Sequence, residues 1–319
     1  MTKDDETSST GIWERELVTK LATAALKEQR RARLWGIFFK LLTFAYVTVI
    51  ILLAVDWKGL GETTGKHTAL VEVSGLIAPG TDASADRVTA ALQEAFKDKN
   101  TKGVVVRCNS PGGSPVQAQA IYDEMRRLRK KYPEIPLYAV VDDVCASGGY
   151  FVAAGADRIF VARASVVGSI GVLMNGFGFT GLMEKLGVER RLITAGDNKG
   201  MLDPFSPMEE KDVAHARQLM ADIHQQFIGV VKEGRGKRLK EAPEIFSGLI
   251  WTGQKSVELG LADDIGSLES VARDVVKAED IVDFSSRESV VEKFARRFGA
   301  SAASALVESA MRSSALGIR

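Results

Sequence analysis

A chain of 319 residues, 45% hydrophobic and 26% charged, has the makeup of a globular protein and not of a disordered one. With Lys+Arg 42 against Asp+Glu 41 the net charge is +1, so nothing in the global electrostatics draws it to nucleic acid or to an acidic partner. Two cysteines, Cys108 and Cys145, lack CxxC spacing and suggest neither a zinc site nor a disulfide framework, so no metal and no cofactor is expected.

In chain order, residues 1–33 open with the polar run DDETSST and continue into a predicted helix from Trp13 to Lys27. From Leu34 to Val55 the sequence LWGIFFKLLTFAYVTVIILLAV is broken by a single Lys, which matches the roughly 20 apolar residues of a spanning helix. Residues 34–56 are therefore expected to be transmembrane. Trp35 and Trp57 would sit at the two interfaces, with Lys40 snorkelling. A cleaved signal peptide would start nearer Met1 and end in small residues, whereas Asp56, Trp57 and Lys58 follow here. Lys27, Arg30, Arg31 and Arg33 precede the span, against Lys58 and Lys66 beyond it, which predicts a cytoplasmic N-terminus and everything after Trp57 on the far side of the cytoplasmic membrane.

Residues 57–66, with KGLGETTGK, read as a Gly- and Thr-rich linker, and the folded domain is expected over 67–280. Predicted strands at Ala69–Leu76, Gly103–Arg107, Leu137–Val141, Arg158–Val161 and Val188–Thr194 alternate with helices near Ser84–Lys97, Ser114–Lys131 and Ser147–Ala154. That alternation predicts βαβ units and an α/β domain. A long amphipathic helix from about Pro207 to Glu233 follows, then shorter ones near Ala242–Phe246 and Leu268–Ala278. Residues 281–319 read as an amphipathic helical extension.

Chemistry concentrates at two Gly-rich turns, each at a strand-to-helix junction: Asn109-Ser110-Pro111-Gly112-Gly113-Ser114 and Ala146-Ser147-Gly148-Gly149-Tyr150. Unpaired N–H groups at a helix start can hold an oxyanion, and glycines let a substrate backbone approach, although most isolated Gly-Gly pairs are ordinary turns. Ser147, flanked by Ala and two Gly at a helix start, is unhindered enough to attack, and local features alone leave it one candidate among turn serines. A histidine base is not evident: His67 is remote in sequence, and His215 and His224 fall on the long amphipathic helix, where surface or core roles are commoner. A lysine is the alternative, which requires it to be desolvated and neutral.

In these motifs the chain resembles the signal peptide peptidase A (protease IV) family, within the ClpP/crotonase-like group of folds. The resemblance rests on RCNSPGGS at Arg107–Ser114, CASGGYFVA at Cys145–Ala153, VGSIGV at Val167–Val172, GDNKGMLDPF at Gly196–Phe205 and WTGQKSVELGLADDIG at Trp251–Gly266, in that order. It implies Ser147 as nucleophile, Lys199 as general base, Ser169 bonded to the lysine amine, and Gly112, Gly113 and Gly148 lining the oxyanion hole. Family members usually carry an aromatic before the lysine and Ser after it, where this chain has Asn198 and Gly200. Cys145, a rival nucleophile, matches a family position with no catalytic role. One copy of the motif set implies the short form of the family, a ring-shaped homo-oligomer acting on remnant signal peptides and other apolar peptides in the membrane. The rivals are acyl-CoA chemistry on the same fold, a membrane-bound scaffold without catalysis, and a processing protease dedicated to one partner.

Overall fold

Parallel strands covered on both faces read as near-continuous apolar runs, and the central strands here carry them, Val104–Val106 in one and Leu137–Val141 in the next. The computed structural model describes residues 23, 27–31, 33–49, 65–240 and 242–285. Strands β1 (His67–Ser74), β2 (Thr101–Ser110) and β3 (Leu137–Ala146) are buried almost throughout. Around them an 8-stranded sheet runs in the order β6-β5-β3-β2-β1-β8, and β4 and β7 extend it from the first part of β3. The remaining strands are β4 (Arg158–Val161), β5 (Val166–Gly168), β6 (Ile250–Thr252), β7 (Asp264–Ile265) and β8 (Ile281–Asp283). All pairings are parallel except β5 with β6.

Side chains alternate between the faces with the strand period of two. Ala69, Val71, Val73, Val104, Val106, Ala139 and Val141 point into the main core, while Leu70, Val105 and Val140 point into a smaller one with Phe160, Leu268 and Val271. The main core is closed by α2 (Ala85–Lys97), α3 (Pro115–Lys131), α4 (Gly148–Ala153) and the Phe227–Val231 part of α6 (Glu210–Arg235). Ser114 caps α3 by accepting the Gln117 N–H, and Pro115 follows at the first turn, where its missing N–H costs nothing. The two shorter helices are α5 (Thr180–Leu186) and α7 (Gly253–Glu258). The opposite face is covered by α8 (Leu268–Ser270), whose continuation over Val271–Val276 is wound as a π-helix.

Residues 63–287 make one compact unit. The other comprises residues 1–62 and 288–319, of which the structure describes a helix, α1, from Lys27 to Val49. It is long and apolar enough to cross a membrane, and none of its apolar window is buried. The expected span runs on to residue 56, and residues 50–56 lie outside the described residues, as do residues 13–22 and 24–26 of the expected Trp13–Lys27 helix, the linker up to residue 64 and the extension from residue 286.

Three expectations are corrected. Val188–Thr194 is not a strand but an exposed irregular stretch: the edge of the sheet beyond β5 is taken by β6, so the segment has no ladder to join, and β-branched composition without a partner does not make a strand. Residues 281–283, expected in the helical extension, form β8 beside β1. The helix expected at Ala242–Phe246 is a single 3-10 turn, Pro243–Phe246.

Candidate active site

Ser147 follows β3 directly and precedes α4, with φ 51 and ψ −123. A residue with a β-carbon in this region costs about 1–3 kcal/mol and persists only where the surroundings hold it. Here the Ser147 N–H donates to the Gly168 carbonyl at 2.8 Å and the Ser147 carbonyl accepts from the Phe151 N–H at 2.9 Å. The preceding strand is pinned by the pairing of Ala146 with Gly168. Ser147 is half-buried and lines a cavity of about 480 Å³ between α3 and α6, walled by Val116, Phe151, Val172, Ile223 and Phe227.

The Ser110-Pro111-Gly112-Gly113 turn packs onto this turn with no room for side chains. A β-carbon on Gly112 would stand 2.8 Å from the Ser147 β-carbon and 2.7 Å from the Gly148 nitrogen, and one on Gly113 would strike the Ile77 carbonyl. Both glycines have positive φ, 104 and 150. Ile77 bridges Gly113 in parallel, donating to the Gly112 carbonyl and accepting from the Ser114 N–H, so the Gly113 N–H points away from Ile77. It faces the Gly148 turn, where a β-carbon on Gly148 would lie 3.2 Å from the Gly113 nitrogen. Gly148 opens α4, so its own N–H has no partner within the helix. Gly113, Gly148 and Ser147 thus line the same cavity.

The sequence showed Ser110 only as part of its turn and His224 only as a surface or core residue. The buried Ser110 hydroxyl donates to the Gly75 carbonyl at 2.6 Å and accepts the Gly112 N–H at 3.1 Å, tying the turn to β1. Its place two residues before Gly-Gly was the available signal. His224, on α6, bonds the Ile170 carbonyl through Nε2 at 3.1 Å. That bond holds the strip from Gly168 to Val172, which carries the acceptor of the Ser147 N–H, from its other side. His67 is buried at the start of β1, stacked on Phe284, and His215 lies in the exposed first part of α6 near solvent.

Ser169 lies in that strip with φ 51, its N–H on the Leu249 carbonyl at 2.7 Å. Lys199 is exposed, in a series of turns from Gly196 to Asp203, and is not among the residues that line the Ser147 cavity. The structure therefore brings Ser147, Gly112, Gly113 and Gly148 together, with Ser169 on the adjoining strip, while Lys199 is not among the residues lining their cavity. Cys145 is fully buried, and burial, reinforced by the Cys108 thiol beside it, pushes its thiol well up, which leaves little thiolate to attack anything.

A model of peptidase family S49 matches residues 129–281, and one of the Clp protease family matches residues 72–167. The chain is 33% identical over 207 residues to the Synechocystis protein slr0021, provisionally designated a protease, which covers 65% of this chain and 72% of that protein. This chain belongs to peptidase family S49. It is also 34% identical over 192 residues to an Enterococcus faecium protein provisionally designated signal peptide peptidase SppA, across 60% of this chain and 55% of that one. An Na(+)/H(+) antiporter NhaA of Brucella abortus is 45% identical over 182 residues, 57% of this chain. The S49 chain described here spans only 25% of that antiporter's length.

Proposed function

We propose that this S49 protein is a membrane-anchored serine endopeptidase that cuts remnant signal peptides and other unfolded apolar peptides at the outer face of the cytoplasmic membrane. The observation that carries the reading is the Ser147 turn: a serine at positive φ, beside two backbone N–H donors, lining an apolar cavity. In this reading Ser147 Oγ attacks the scissile carbonyl while Lys199 takes its proton. The N–H groups of Gly113 and Gly148 hold the oxyanion, the amine leaves with a proton, and water then releases the acyl group. Ser169 orients the lysine amine.

For Lys199 to act, the exposed segment that bears it must pack. Ile193 is 95% exposed, Phe177 82% and Leu173 80%, an apolar strip that favours burial. Assembly into a homo-oligomer buries this strip and moves Lys199 out of water and towards a Ser147 hydroxyl. The apolar, unburied α1 supports the anchor, and the basic residues before it support a cytoplasmic N-terminus. No nucleic acid takes part.

Hydrolysis of a synthetic signal peptide by the full-length chain in detergent, compared with Ser147→Ala and Lys199→Ala, tests the reading. Both variants are expected to lose activity while unfolding at the wild-type temperature. The position of Lys199 outside the cavity favours a second reading, a scaffold without catalysis, and a wild-type chain that hydrolyses no peptide would decide for it.

A further inference from the structure

The Asp203-Pro204-Phe205 end of the Gly196–Phe205 motif lies beyond the turn that carries Lys199, and its side chains do not line the Ser147 cavity. Each of its residues instead closes the same loop. The Asp203 carboxylate accepts from the Arg190 guanidinium, 3.3 Å from Nε, and from the Ser206 hydroxyl at 2.7 Å. The Pro204 carbonyl accepts the Phe179 N–H at 2.7 Å. The Phe205 ring stacks on Phe179 with centroids 5.3 Å apart, and the Arg190 guanidinium lies over the Phe205 ring, 5.8 Å from its centroid. The residues joined this way, Phe179, Arg190 and Asp203 to Ser206, bracket Lys199 on both sides in sequence.

Asp203 also reaches towards Lys199 along the chain. Its N–H donates to the Gly200 carbonyl at 3.2 Å, while the Lys199 N–H donates to the Gly196 carbonyl at 3.1 Å, so the lysine sits in consecutive turns that end on Asp203. Across the loop, a β-carbon on Gly200 would come within 2.9 Å of the Leu192 side chain, which packs the turn against the stretch that carries Arg190. The Ser206 hydroxyl, helped by Arg190, holds the Asp203 carboxyl below its ordinary range, so it stays anionic at neutral pH and keeps its pairing.

We propose that Asp203, together with Arg190 and Phe205, is a positioning clasp that holds the Phe179–Ser206 loop closed and so presents Lys199 at one place. The clasp rests on the reading of Lys199 as base for its effect on catalysis, but not for its effect on the loop. A surface ion pair alone holds a loop weakly; a pair that shares its carboxylate with a hydroxyl and its guanidinium with a stacked ring is ordered by several contacts at once.

The test uses the full-length chain in detergent with Asp203→Asn and, separately, Phe205→Leu, which leaves the ion pair and removes the ring stack. Trypsin cleavage after Arg190, Arg191 and Lys199 is followed by mass spectrometry, and kcat and KM are measured on a signal-peptide substrate. The expected result is faster cleavage after Lys199 in both variants, with kcat down about tenfold and KM within about threefold, as displacement of a catalytic group predicts. Cleavage after Lys199 at the wild-type rate in both variants overturns the clasp. Wild-type activity in Lys199→Ala would instead remove the base reading, and the trypsin result, which needs no activity, would still decide the clasp.

Discussion

Ser147 can hold a strained backbone because its neighbours leave it no alternative: its N–H is taken by Gly168, its carbonyl by Phe151, and the Gly112 turn lies against its β-carbon. Gly113→Ala should therefore be severe. The added β-carbon meets the Ile77 backbone and the alanine must also adopt a φ of 150, so the N–H of residue 113 moves off its proposed oxyanion position. We expect kcat to fall by about 10²–10³-fold, measured on a signal-peptide substrate, and the unfolding temperature to fall as well, because the backbone clash and the strained φ both cost stability. His224 acts one step further out, through the Ile170 carbonyl. His224→Leu, which removes the donor, is expected to lower kcat/KM about tenfold, and His224→Gln, whose amide nitrogen can replace Nε2, should restore most of it. Equal activity in the two variants would remove His224 from the site.

At the scale of elements, α6 is anchored to the sheet by charge. Arg235, at the end of α6, is wholly buried with its guanidinium on Asp263 at 2.8 Å and on the Gly260 carbonyl at 2.8 Å. Asp263 in turn accepts the Ile159 N–H of β4 at 2.7 Å. Burial by itself would raise the Asp263 carboxyl, but the Arg235 hydrogen bond and charge, with the Ile159 N–H, hold it below its ordinary range. A depressed folded value stabilises the protein above the unfolded carboxyl value of about 3.9 and ceases to do so as the pH falls through the folded value. Asp263→Asn, which strands the Arg235 charge, is expected to cost about 3–5 kcal/mol by urea unfolding at pH 7, and the gap between variant and wild type should close below about pH 4. Since α6 also supplies Ile223 and Phe227 to the cavity wall, this pair positions the cleft as well as the fold. Arg235 was legible only as a cation near a helix end, because burial depends on Gly234 and Gly260 bringing distant backbones close.

For the whole molecule, several large apolar side chains between Leu173 and Ile193, Leu173, Phe177 and Ile193 among them, stand exposed to water. In the proposed assembly a charge there should prevent association. Ile193→Asp is expected to lower the mass of the detergent-solubilised chain, measured by sedimentation, and to reduce hydrolysis together with it. An unchanged mass would leave the strip without a self-partner.

The alternation of apolar strands with helices, the two Gly-rich strand-to-helix turns, the apolar α1 and the resemblance to the signal peptide peptidase A family were legible because each is written in contiguous residues, where periodicity and turn chemistry act locally. The short strands β5, β6 and β8 were not, because runs of two or three residues become strands only when a neighbour offers its ladder, as β3 does for β5 and β1 for β8. Val188–Thr194 failed in the opposite sense, having strand composition and no neighbour. The Gly112–Gly113 turn divides the same way: the two glycines announce a turn by themselves, whereas Ser110 and Ile77 hold it, and His224 the neighbouring Gly168–Val172 strip, through hydrogen bonds across the fold. By itself, then, the sequence determined where the two Gly-rich strand-to-helix turns lie. Only the tertiary structure decided which backbone groups face one cavity, because that depends on contacts between segments far apart in the chain.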